Sequence, residues 1–194
     1  MRVSEALTFG TMRLGVLSRD KTIELLAHAL RAGIRSFHNS SEYETFSLFC
    51  ESLPKACKLA NVEADSLEHI VKIAAQHFDH NEFDPQELIS KTQVYKTKLS
   101  CNKIELIQWM ARYDLSDEAI METVELLKLN NDIPRFGCFP YIDRFRKIAT
   151  SSLWCDELID YYNPIENRAS HIIDNLRSNQ NMIAIRPLFP LIKT

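Results

Sequence analysis

Ala29-Leu30-Arg31-Ala32-Gly33-Ile34-Arg35-Ser36-Phe37, running on into His38-Asn39-Ser40-Ser41-Glu42-Tyr43, is the stretch that sets the fold. Just upstream, Ile23, Leu26, Ala27 and Leu30 recur at helical spacing within Thr22–Arg31. Gly33 stands where that helix must stop, because glycine takes the left-handed turn that closes one. Ile34–Phe37 then reads as a short strand, so a helix delivers the chain to a strand with almost no linker. His38 and Tyr43 follow that strand.

The same alternation continues in both directions. Leu7–Phe9 reads as a first strand. Phe46, Phe49 and Leu53 form a second helical stripe, expected to end at Pro54 or soon after it. Ile70–Ala75 is a buried-type strand interrupted only by Lys72. Asp84 as N-cap and Pro85 in the first turn open another helix, with Leu88, Tyr95 and Leu99 on its apolar side. Ile104–Trp109, Arg135–Phe139, Leu158–Tyr162 and Met182–Ile185 read as further strands. The segment from Ser116 (inward positions Ile120, Val124 and Leu127), Asp143–Ala149 and Ser170–Leu176 read as helices between them. The pattern amounts to seven strands separated by six helices. Repeated βα units with continuous apolar strands imply a parallel sheet covered by helices. An open doubly wound sheet and a (β/α) barrel both satisfy the pattern. No G-x-G-x-x-G follows a strand, which counts against a Rossmann dinucleotide site.

The chain has 194 residues, 45% apolar and 25% charged, the composition expected of one globular domain over 1–194. A net charge of −3 gives no electrostatic case for nucleic acid, and no apolar run approaches membrane-spanning length. A soluble, cytoplasmic protein is the expectation. The five cysteines (Cys50, Cys57, Cys101, Cys138 and Cys155) include no C-x-x-C pair, which fits reduced thiols. Cys50 and Cys57 share a helical face and read as core residues.

In order and spacing, several segments resemble the aldo-keto reductases. They are Thr8-Phe9-Gly10-Thr11-Met12-Arg13-Leu14-Gly15, Ala29–Phe37, Ile104–Trp109, Arg135-Phe136-Gly137, Tyr162-Asn163-Pro164-Ile165-Glu166-Asn167-Arg168 and Ile185-Arg186-Pro187-Leu188. The resemblance decides for the barrel. It implies an active site at the C-terminal mouth, where barrel enzymes place their chemistry. There a nicotinamide cofactor gives hydride to a carbonyl and a tyrosine gives the proton. A phenol becomes a useful acid only if tyrosinate is stabilised as it forms. In the family a lysine does this, an aspartate holds the lysine, and a histidine orients the carbonyl.

Tyr43 matches the tyrosine of the family's F-D-T-A-x-x-Y motif, and the other positions depart from it. His38 stands for the aspartate. The lysine position falls on Ala75, or on Gln76 with a slipped register, and the histidine position falls on Met110. The Ser-Asn pair that grips the nicotinamide amide falls on Phe139-Pro140, and the sixth-strand glutamine on Ile159. Each lost acid, base or electrostatic stabiliser costs roughly 10²–10⁴-fold, and such losses are not additive. The resemblance therefore implies a catalytically degenerate reductase relative, a pseudoenzyme that acts as a binding or partner-subunit protein with no cofactor. The alternative is an NADPH-dependent oxidoreductase that reduces a small carbonyl compound through Tyr43.

A barrel typically needs about 250 residues. The expected fold is accordingly an incomplete (β/α)8 TIM-type barrel of about seven parallel strands, with the eighth βα unit missing. A homo-oligomer or another protein subunit is then the expected partner at the barrel gap. Trp109, Arg112 and Tyr113 follow the fourth strand, and Arg186 the seventh. An arginine flanked by aromatics could hold a phosphate or carboxylate there, or make an ordinary surface ion pair. His38 reads either as a replacement acid or base for Tyr43 or as a structural polar group, and the structural role is preferred. For Tyr43 itself, packing in a vestigial pocket is preferred over proton donation. His77-Phe78-Asp79-His80-Asn81-Glu82-Phe83-Asp84 has the residue types of a metal site but not the helical i,i+4 presentation. A solvated loop is expected, with no metal.

Overall fold

The glycine that ends the first helix does so by geometry as well as by position. In the computed structural model, which describes residues 7–74, 84–102, 104, 106–110, 117–129, 133, 135–138, 155–161 and 181–185, this helix (α1) spans Arg19–Arg31. Gly33 takes φ 94°; its N–H bonds Leu30 O and the Ile34 N–H bonds Ala29 O, which together form a Schellman closure. The helix starts before the apolar stripe because Ser18 caps it, the hydroxyl accepting from Lys21 N at 3.4 Å. Strand β1 (Thr8–Gly10) precedes α1, and β2 (Ser36–Ser40) follows it. β2 begins later than the Ile34–Phe37 reading because residues 34 and 35 still serve the helix end. Arg35 Nη1 donates to Leu30 O at 2.7 Å and to Ile34 O at 2.9 Å.

Helix α2 (Phe46–Ala60) runs through Pro54, where a stop was expected. Leu53, Ala56 and Cys57 are all buried, and their packing carries the helix past the missing proline N–H. Pro54 itself lies on the exposed side. The remaining elements are β3 (Glu68–Ala74), α3 (Pro85–Leu99), β4 (Leu106–Met110), α4 (Asp117–Leu129), β5 (Arg135–Cys138), β6 (Glu157–Tyr161) and β7 (Asn181–Ile185). Asp84 caps α3 as its sequence position implies, its carboxylate accepting from Gln86 N at 2.8 Å. The expected helices at Asp143–Ala149 and Ser170–Leu176 lie outside the described residues.

The seven described strands pair parallel in sequence order, β1 to β7. Parallel neighbours require crossovers, and α1, α2, α3 and α4 supply those between the first five strands. Strand parity fixes what each side chain faces. Phe37 on β2 and His69 on β3 both pack on Phe49 of α2, so these residues, with Asn39, Val71 and Ile73, face the helices. The main core lies in this layer and includes Leu26, Leu30, Phe37, Phe49, Val71, Ile73, Phe136 and Leu158. Cys57 is buried in it and Cys50 packs against it, as core thiols should; burial pushes Cys50 up to about 11.

The alternate residues point to the other side of the sheet. Ile70 and Ile159 are buried but stand apart from the helix-side core. Arg135, the first residue of β5, bonds both Glu68, the first of β3, and Glu157, the first of β6. A side chain on β5 can meet one on β3, with β4 lying between them, only where the sheet curls toward that face. The ion cluster thus marks the N-terminal end of a barrel-like interior, and the strands' C-terminal ends lie opposite it. Among the described residues no helix is long and apolar enough to cross a membrane.

Candidate functional site

β2 ends at Ser40, and the chain turns at once, Tyr43 N–H bonding Ser40 O at 3.1 Å and Phe46 N–H bonding Tyr43 O at 2.8 Å. This turn places Glu42 and Tyr43 over the C-terminal ends of β2 and β3. The segment after β1 braces it: Thr11 donates from both N and Oγ1 to His38 O at 3.1 Å. Thr45 Oγ1 donates to Thr11 O at 2.9 Å, so its hydroxyl is engaged there instead of capping α2. Gly15 completes the brace, because a Cβ on it would stand 3.0 Å from Thr45 Cγ2.

Four side chains gather at this end. His38 shares the interior face of β2 with Ser36 and Ser40, and its ring centroid is 6.3 Å from that of Tyr43. Lys72, on the interior face of β3, stands over the Tyr43 ring with Nζ 5.3 Å from the centroid. Its ammonium is held by the Glu42 carboxylate at 2.6 Å, with the two side chains only 16% and 15% exposed. An ammonium over a ring face is the geometry of a cation–π contact. At such low exposure the Lys72–Glu42 attraction is screened far less than on the surface.

Tyr95, from the C-terminal part of α3, fixes the turn from below. Its hydroxyl accepts from Ser41 N at 2.8 Å and donates to Ser41 Oγ at 2.7 Å, with Lys72 O at 3.3 Å. Ser40 Oγ donates to the same Lys72 carbonyl at 3.0 Å. Burial raises the Tyr95 hydroxyl above the usual phenol range, which keeps it a neutral donor.

The structure places the Tyr43 and His38 rings 6.3 Å apart. It adds Lys72, Glu42, Ser41 and Tyr95, which the motif comparison left out. Ile159 is 1% exposed on the interior face of β6 and offers no hydrogen-bonding group. Met110 pairs in register with Ala74 and Trp109 with Ile73, which places their backbones at the same end of the sheet. Ala75, Gln76, Arg112, Tyr113, Phe139, Pro140 and Arg186 lie outside the described residues, as does the His77–Phe83 loop. Among the described residues no cluster of three His, Cys, Asp or Glu side chains could hold a metal ion.

No protein-family model and no curated protein matches the sequence. Solved structures do match the fold. A putative 2,5-diketo-D-gluconic acid reductase B aligns over 93% of this chain and 61% of its own, with a TM-score of 0.70 and 15% identity. A thermostable aldo-keto reductase in complex with the inhibitor epalrestat aligns over 93% and 67%, with a TM-score of 0.72 and 17% identity. An aldo-keto reductase of Bombyx mori in complex with NADP aligns over 94% and 62%, with a TM-score of 0.70 and 14% identity. The chain thus spans roughly three fifths to two thirds of the length of these relatives. What it shares with them, over nearly all of its own length, is the (β/α)8-type barrel fold of the aldo-keto reductases.

Proposed function

We propose that this protein is an aldo-keto-reductase-like pseudoenzyme whose barrel mouth serves a binding or partner-subunit role. The observation that carries this reading is the arrangement around Tyr43. A proton-donating tyrosine needs positive charge at its oxygen as tyrosinate forms. Here the Lys72 ammonium stands over the ring face and is already neutralised by Glu42 at 2.6 Å. Beside it, an imidazole occupies the position where the family resemblance calls for a carboxylate. The interior supports the same reading, since Ile159 gives a nicotinamide amide nothing to bond. Of the family's nicotinamide-gripping positions, Ile159 is the one among the described residues, and its side chain supports the reading without that cofactor.

One observation favours a second reading, carbonyl reduction with Tyr43 as proton donor. Lys72 Nζ is 5.3 Å from the ring centroid, so rotation about the lysine stem would carry it toward the phenol oxygen. Glu42 would then hold the lysine in place of the carboxylate that His38 replaces.

The two readings separate on titration of NADPH against the pure protein, followed by nicotinamide fluorescence and thermal unfolding. A ligand at 100 times its dissociation constant stabilises by about 2.7 kcal/mol. The pseudoenzyme reading expects no such shift and no aldehyde-dependent oxidation of NADPH. Saturable binding with turnover that disappears in Tyr43→Phe would overturn it and establish the reductase.

A further inference from the structure

We infer that Tyr95 of α3 is the positioning residue of the barrel mouth: its hydroxyl ties the turn bearing Glu42 and Tyr43 to the end of β3, and so holds the Glu42 carboxylate on Lys72. The hydroxyl meets both sides of the Lys72–Glu42 pair from outside the strands and the turn. On one side it is bonded twice to Ser41, the neighbour of Glu42, at 2.8 and 2.7 Å. On the other side it lies 3.3 Å from the carbonyl of Lys72 itself. A phenol carries a single proton, and the shorter distance assigns it to Ser41 Oγ. Ser40 Oγ satisfies the Lys72 carbonyl at 3.0 Å, so every group in the knot has a partner.

The ring is fixed as firmly as the hydroxyl. Tyr95 is buried and meets Phe46 edge to face at 5.4 Å, and Phe46, the first residue of α2, follows directly from the turn. Lys98, one turn further along α3, lies over the other member of that pair, 5.8 Å from the Phe46 centroid. An aromatic clamped at its ring transmits its position to its hydroxyl, and a hydrogen-bonded partner shell of this kind is what keeps a site's geometry narrow. Glu42 N–H donates to Ser40 Oγ at 3.3 Å, and Ser40 Oγ donates in turn to Lys72 O, so the end of β2 supplies a second, longer tie between the turn and β3. Tyr95 adds the shorter bonds, and it does so from a different element.

The test is a double-mutant cycle on Lys72→Met and Glu42→Gln, run by urea unfolding in the wild-type background and again with Tyr95→Phe. It needs no ligand, so its outcome is independent of the proposed function. In the wild type the pair should show a coupling of about fivefold in the ratio of unfolding constants. With Tyr95→Phe the coupling should fall toward unity, because the carboxylate is no longer held against the ammonium. Ser41→Ala, at an exposed position that does not threaten folding, should lower the coupling in the same direction and by less. Leu127→Val on α4 lowers stability without touching the mouth, and the coupling should survive it. Coupling unchanged in Tyr95→Phe and Ser41→Ala, lost equally in Leu127→Val, or absent from the wild type would each overturn the assignment.

Discussion

His69 shows at the scale of one residue how the helix-side core constrains chemistry. It is 1% exposed, with its ring 6.5 Å from that of Phe37 and 6.4 Å from that of Phe49, and among the described residues its Nδ1 has no hydrogen-bond partner. Burial lowers its pKa from the ordinary 6.5 to about 4, so the folded protein keeps it neutral where the unfolded chain protonates it. Between pH 6.5 and about 4 the unfolded state binds the extra proton, and stability therefore falls as pH falls through that window. The full drop is about 3 kcal/mol from this group, and it levels off below pH 4. Urea titrations at pH 7 and pH 4.5 should show most of it in the wild type and much less in His69→Phe, which keeps the aromatic packing. Equal pH dependence in both proteins would assign the effect elsewhere. The mouth was legible in the sequence to the extent that its residues sit in one contiguous run. Tyr43 and His38 fall in that run. Lys72 was visible as the one charge in an apolar strand, but its meaning rested on parity, since a shift of one residue sends a strand side chain to the opposite face. Tyr95 meets Ser41 across 54 positions, a contact that only the packing of α3 creates.

Helix ends tell a similar story one scale up. Gly33 announces its own termination, and α1 closes on it in the left-handed geometry that the residue permits. α3 closes on Ser100 at φ 52°, with Ser100 N–H bonding Thr97 O at 3.2 Å and Cys101 N–H bonding Lys96 O at 3.1 Å. A β-carbon in that conformation costs about 1–2 kcal/mol. Ser100 is exposed, so Ser100→Gly should remove most of that cost without disturbing packing and raise stability by about 1 kcal/mol. At Asn61, φ 55°, which closes α2, the same change to glycine should gain less, because asparagine tolerates this region. Thermal unfolding of the two variants checks the order, and a larger gain at Asn61 would refute the strain account. The elements themselves were legible in type and order because apolar period and cap residues agree along most of the chain. Their edges were not. Pro54 failed as a stop because tertiary burial on both sides outweighs a lost N–H, and β2 starts late because Ile34 and Arg35 are held by the preceding helix.

For the molecule as a whole, the feature that binds distant strands together is the ion cluster at the N-terminal end of the interior. Glu157 is almost wholly buried there, its side chain 3% exposed, and Arg135 bonds it. Arg135 also bonds Glu68, and it and that second partner are 37% and 31% exposed. Removing the guanidinium leaves Glu157 charged in a place water scarcely reaches, and breaking a buried pair in this way costs about 3–5 kcal/mol. Solvent at Arg135 and Glu68 screens part of that, so Arg135→Met should cost about 2 kcal/mol. The loss should be recovered in part by adding Glu157→Gln, which removes the buried charge while keeping a polar group of the same size. Because this cluster joins β3, β5 and β6 on the interior side, the single variant should also expose the strands it joins. Hydrogen exchange should quicken at β5 and β6 while α1 and β2, which are tied to each other through the helix-side core, keep their protection. Uniform loss of protection across the chain would mean that the cluster contributes only to global stability. An Arg135→Met variant as stable as the wild type would mean that the interior at this end is wet enough to solvate Glu157, and the curled sheet would then owe its shape to the helix layer alone.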